Sequence, residues 1–79
     1  MCEILIVEDE TKLAAFVDKG LRKYGFSTAL AADGEQALVA SESRHYDAIL
    51  LDLGLPVKDG LTVLKELRDR GDQSPVIVM

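Results

Sequence analysis

Ile4-Leu5-Ile6-Val7-Glu8-Asp9-Glu10 decides the fold. Four aliphatic residues in a row with no polar residue between them predict a strand buried on both faces, and three consecutive acids end it abruptly. Strands of that kind belong to parallel sheets covered by helices, because an antiparallel sheet with one wet face would alternate apolar and polar positions. The pattern returns in Asp47-Ala48-Ile49-Leu50-Leu51-Asp52, again an apolar run closed at its carboxyl end by an acid. A further run, Val76-Ile77-Val78-Met79, opens behind Pro75.

Between these runs the period changes. Leu13, Val17, Leu21 and Tyr24 recur at helical spacing with Phe16 widening the stripe, while Lys12, Asp18, Lys19, Arg22 and Lys23 fall on other faces and Gly25 supplies a stop. Ser27–Ala31 mixes hydroxyls with small apolar residues, which predicts a weak strand at the sheet edge. Asp33 with Gln36 three residues on resembles an N-cap and its reciprocal partner, opening a short helix through Ala37, Leu38 and Ala40. After the turn-rich Gly54–Gly60, Leu61, Leu64 and Leu67 mark a third helix that ends in Arg68 and Arg70 before Gly71. The order βαβαβαβ predicts an α/β domain over residues 1–79, a flavodoxin-like doubly wound parallel sheet with strand order 2-1-3-4.

Bulk properties narrow the function. The chain has 79 residues, of which 48% are hydrophobic and 29% charged, enough for one small core and too apolar for disorder. A formal charge of −5 opposes contact with a phosphate backbone, so direct nucleic-acid binding is disfavoured. The apolar runs are too short for a membrane span and no basic segment leads into one at the N-terminus, so a cytoplasmic location is expected. Cys2 and His45 are the only residues of their kinds, which rules out an internal disulfide and leaves a histidine-based zinc site without partners. Cys2 is read as an inert thiol near a strand start and His45 as a surface residue at a helix end.

The acids carry the chemistry. In open parallel sheets, ligands bind beyond the carboxyl ends of the strands where the winding reverses. With strand 1 beside strand 3, Glu8 and Asp9 come next to Asp52 although more than forty residues separate them. Such like charges call for protonation or a cation, and Mg2+ fits better than Ca2+, since a few carboxylates plus waters and a phosphate suffice for the smaller ion. A carboxylate beside such a cation can attack phosphorus and form an acyl phosphate. Asp52 is the expected nucleophile, because it ends a central strand and is followed at once by the turn containing Gly54 and Pro56; Glu8 and Asp9 are better placed to hold the metal. Glu10 and Asp47 are read as acids that mark where the chain re-enters water.

Ile4–Glu10, then Tyr46–Pro56 with its Leu55-Pro56 after Asp52, then Asp59-Gly60, together resemble the receiver domain of two-component response regulators, most of all receivers that precede a winged-helix DNA-binding output domain. The resemblance implies a phosphorylation switch rather than an enzyme. Asp52 would be the phosphoacceptor served by a histidine kinase and one of the residues that hold Mg2+, with Asp9 a direct ligand, Glu8 a ligand through water and Gly54 a ligand through its backbone carbonyl. It also implies structural roles for Asp33-Gly34 and Asp59-Gly60, and matches Lys58 to no catalytic position. Receivers continue past a fourth strand with a Ser or Thr, a fourth helix, a fifth strand ending in Lys and a fifth helix, so the likeness extends to the end of the fourth strand. The expected consequences are an exposed apolar edge at Val76–Met79, an uncovered sheet face beside the first helix, and self-association through that edge.

Two other classes compete. A nucleotide-binding enzyme needs a glycine-rich turn after strand 1, and Glu8-Asp9-Glu10-Thr11-Lys12 has none and would repel a phosphate. An aspartate phosphatase wants a second acid two residues beyond its nucleophile, where Gly54 stands. The remaining rival is a receiver fragment that acts only in assembly, without phosphotransfer.

Overall fold

In the computed structural model, which describes residues 2–52, 54–55 and 58–79, each apolar run becomes a strand and each amphipathic stretch a helix. The chain runs β1 (Glu3–Val7), α1 (Thr11–Lys23), β2 (Ser27–Ala31), α2 (Gly34–Ser43), β3 (Ala48–Leu51), α3 (Gly60–Asp69) and β4 (Val76–Val78). All three strand pairings are parallel and the sheet order is β2-β1-β3-β4, with β2 and β4 at the edges as expected. This is the flavodoxin-like arrangement.

Register sorts the side chains between two faces. Leu5 pairs with Ala29 and Ile49, and Val7 with Ala31 and Leu51, so these residues share one face. They form the core with Ala37 of α2 and with Val63 and Leu67 of α3. Each large aliphatic side chain buried there contributes roughly 1.5–3 kcal/mol relative to exposure. Tyr46 and Leu55, which the periodicity left in connecting segments, are also buried in this core.

The other face carries Ile4 and Ile6, both buried, and is covered by α1. Here one expectation needs correction. The predicted stripe of α1 is only partly inward: Ala14 is buried and Val17 and Leu21 are half-buried, whereas Leu13, Phe16 and Tyr24 are 40%, 76% and 80% exposed. The reason is lateral placement. Asp18 on one flank of α1 bonds to Thr28 of β2, so the helix lies over β2 and β1 and leaves the β3–β4 half of that face without it. No described element packs there, and Ile77 on that half is 55% exposed.

The helix ends follow local chemistry. Asp33 accepts from the Gln36 amide at 2.9 Å, and the Gln36 side chain answers at the Ala32 amide, one residue earlier than in the usual reciprocal box. Asp59 accepts from the Thr62 amide at 2.9 Å and caps α3. Gly25 and Gly71, at φ +90° and +86°, terminate α1 and α3 in the left-handed region that glycine enters without strain. Arg22 and Lys23, Arg44, and Arg68 and Arg70 stand at the carboxyl ends of the three helices.

Candidate functional site

Sheet pairing builds the site. The Glu8 amide donates to the Ala31 carbonyl at 3.0 Å and the Asp52 amide to the Val7 carbonyl at 3.1 Å, so each ladder extends one residue past its strand. Glu8, Asp9 and Asp52 are thereby brought to one crevice, where each offers a carboxylate oxygen within 4.8 Å of the other two. Glu8 is buried, Asp52 half-buried and Asp9 exposed.

Backbone amides hold two of these side chains. Glu8 Oε1 accepts from the Glu10 amide at 3.0 Å, and Asp52 Oδ1 accepts from the Gly54 amide at 3.0 Å. Burial raises the pKa of Glu8, and the neighbouring Asp52 and Asp9 act in the same direction against the opposing Glu10 amide. The crevice is therefore short of positive charge. Its donors are hard oxygens, and three of them on one side leave room for waters and a further ligand, which suits Mg2+.

The other acids behave as the plain reading expects. Glu10 contributes its amide to Glu8, and its side chain is not a member of the carboxylate group. Asp47 sits at the amino end of β3 and accepts from the Glu3 amide at 2.7 Å. Cys2 and His45 are exposed. Leu53 and Pro56 of the quoted motif lie outside the described residues.

Lys58 points away from the crevice chemistry. Its ammonium lies 2.9 Å from Glu35 Oε1 on α2 and 2.9 Å from Glu66 Oε2 on α3, and Glu66 followed by Glu35 raises its pKa. Sequence reading missed this three-way pairing, because residues 35, 58 and 66 share no period. The Asp33-Gly34 position has an equally local cause: a β-carbon on Gly34 would stand 2.5 Å from the Lys58 carbonyl oxygen and 2.6 Å from Val63 Cγ2. A broad cleft of about 580 Å3, lined by Arg44, His45, Arg70 and Ser74 among others, lies at the opposite ends of the strands, far from the acids.

Known proteins share this architecture. The profile of the response regulator receiver domain matches residues 4–79. The chain belongs to that family. The transcriptional regulatory protein CiaR of Streptococcus pneumoniae is 46% identical over 79 residues, covering 100% of this chain and 35% of CiaR. The chain thus spans about a third of the length of the curated relatives it matches. Among solved structures, the receiver domain of the Francisella response regulator 1452 superposes with a TM-score of 0.96 at 33% identity, covering 99% of this chain and 64% of that one. Response regulator TrrA of Thermotoga maritima, in complex with Mg(2+)-BeF, superposes with a TM-score of 0.93 at 32% identity, covering 99% and 68%. As a receiver domain this is a part of two-component signalling proteins, and its curated relatives include transcriptional regulators. No helix among the described residues is long and apolar enough to cross a membrane.

Proposed function

We propose that this receiver is a phosphorylation switch in which Asp52 accepts a phosphoryl group from a histidine kinase. The observation that carries the reading is the convergence of Glu8, Asp9 and Asp52 within 4.8 Å. Asp9 and Asp52 would hold Mg2+ directly, Glu8 through water, and Gly54 through its carbonyl. When bound, the ion supplies charge neutralisation for the phosphoryl oxygens.

The chain's own part follows from its geometry. The Gly54 amide fixes the Asp52 carboxylate, so the nucleophile meets phosphorus without first losing rotamer freedom. A carboxylate oxygen forms the new bond to phosphorus as the phosphorus–nitrogen bond of a phosphohistidine breaks. The electron pair stays on the imidazole nitrogen. The TrrA complex with Mg(2+)-BeF supports the metal assignment, and the transcriptional relatives support a regulatory output outside this segment in a cytoplasmic protein.

A second reading, self-association through β4, is favoured by the 55% and 49% exposure of Ile77 and Val78. Incubation with Mg2+ and a small-molecule phosphodonor separates the two. One added phosphoryl group by mass, absent from Asp52→Asn, is expected. A folded wild-type chain that gains no such group refutes the switch and leaves assembly.

A further inference from the structure

We infer that Leu55 is a positioning residue for the crevice: its buried side chain seats the adjoining Gly54 backbone, whose amide in turn holds the Asp52 carboxylate. The inference rests on the switch reading for what Gly54 and Asp52 do, and on burial and covalent geometry for how they are held.

Gly54 is exposed and has no side chain with which to anchor itself, and glycine has the widest backbone freedom of any residue. Its anchor must come from a neighbour. Leu55 is 7% exposed and joins the core cluster that contains Leu51, Val63 and Leu67. The chain thus passes from water into the core across a single peptide unit.

That unit transmits the seat. No described peptide bond is cis, so the Cα atoms of residues 54 and 55 stand about 3.8 Å apart with a planar group between them. The carbonyl in that plane belongs to Gly54 and is the proposed fourth metal donor. A leucine fixed in the core therefore sets the place of the carbonyl directly. On its other side Gly54 donates its amide to Asp52 Oδ1 at 3.0 Å, and the Asp52 amide is itself held by the Val7 carbonyl at 3.1 Å. Asp52 is tied to the sheet by its own amide, whereas Gly54 depends on the core through Leu55.

Leu55 carries no charge, so replacing it leaves the Coulomb attraction of the crevice for a cation unchanged, and a change in Mg2+ affinity reports geometry. The test compares wild type with Leu55→Ala, Leu55→Val and the volume-conserving Leu55→Met. Leu67→Ala is the control, because it removes a leucine from the same core in the last turn of α3, at the end of the molecule opposite the acids. In metal-free protein the order parameter of the Gly54 amide is expected to fall from about 0.85 toward 0.6 in Leu55→Ala, and to stay near wild type in Leu55→Met and Leu67→Ala. Titration with Mg2+ is expected to show affinity about tenfold weaker in Leu55→Ala, the low end for groups that support a metal ligand, with Leu55→Val between and Leu55→Met near wild type. Leu67→Ala is expected to melt earlier yet to bind Mg2+ within about twofold of wild type.

If Leu55→Ala does not fold, Leu55→Val carries the same comparison. Gly54 order or Mg2+ affinity that is unchanged in the folded Leu55 variants overturns the inference, as does an equal loss in Leu67→Ala, which would trace the effect to general loosening of the core. Absence of Mg2+ binding in wild type overturns the switch reading alone, because amide order in the metal-free chain still decides whether Leu55 seats Gly54.

Discussion

The Thr28 hydroxyl on β2 donates to Oδ1 of Asp18 on α1, and the same oxygen accepts from Arg22 Nε at 2.9 Å. One carboxylate therefore fastens a helix to the sheet edge and to its own next turn. Thr28 first, then Arg22, lowers the Asp18 pKa. A carboxyl with a depressed folded pKa stabilises the fold fully above its unfolded value of about 3.9 and loses that contribution as pH falls through the folded pKa. Asp18→Asn is expected to cost about 1 kcal/mol at pH 7, after allowing for solvent screening. Melting curves of the two proteins should converge as the pH falls below the unfolded carboxyl value and on through the lowered folded one.

The carboxylates of the crevice make the opposite contribution. Three acids share a space with no cation among their described hydrogen-bond partners, so Asp52→Asn is expected to raise the melting temperature in chelator, by the equivalent of about 1 kcal/mol. Mg2+ should remove that advantage. At ten times its Kd the ion adds roughly 1.4 kcal/mol to the wild type, and less to the variant. Calorimetry with and without Mg2+ checks both halves, and a variant that melts below wild type in chelator contradicts the account.

At the β4 edge, the Pro75 carbonyl and the Met79 amide bond to β3, so alternation turns the Val78 amide outward. Val78→Pro deletes this outward donor while leaving the ladder to β3 intact. Sedimentation of the 79-residue chain is expected to show concentration-dependent association, reduced in Val78→Pro. A compact monomer at all concentrations would remove the case for edge pairing.

Gly34→Ala is expected to destabilise the chain by roughly 1–3 kcal/mol, because neither the Lys58 backbone nor buried Val63 can withdraw freely. Chemical denaturation measures it. Gly20→Ala, where a β-carbon meets nothing within 4 Å, is the control and should be neutral or mildly stabilising.

Strand order and the meeting of Glu8, Asp9 and Asp52 were legible because both follow from continuous apolar runs ending in acids, a signal carried by adjacent residues. The outward turn of Phe16 and Tyr24 was not legible, since periodicity gives the angle between side chains on a helix but not where the helix sits across a sheet. Tyr46 and Leu55 escaped because a connecting segment has no period to betray an inward side chain. The Lys58 clamp depends on three separate backbone segments, and only their assembly reveals it.

The basic residues that close the three helices all fall at the end of the molecule opposite the acids. Several of them are neutralised there by Asp18, Glu3 and Asp72, so the uncompensated part of the net charge of −5 gathers at the crevice end. A partner with a positive surface experiences a torque that turns the crevice toward it during diffusion. Productive encounters with a cationic docking face should slow as added salt shortens the reach of this field.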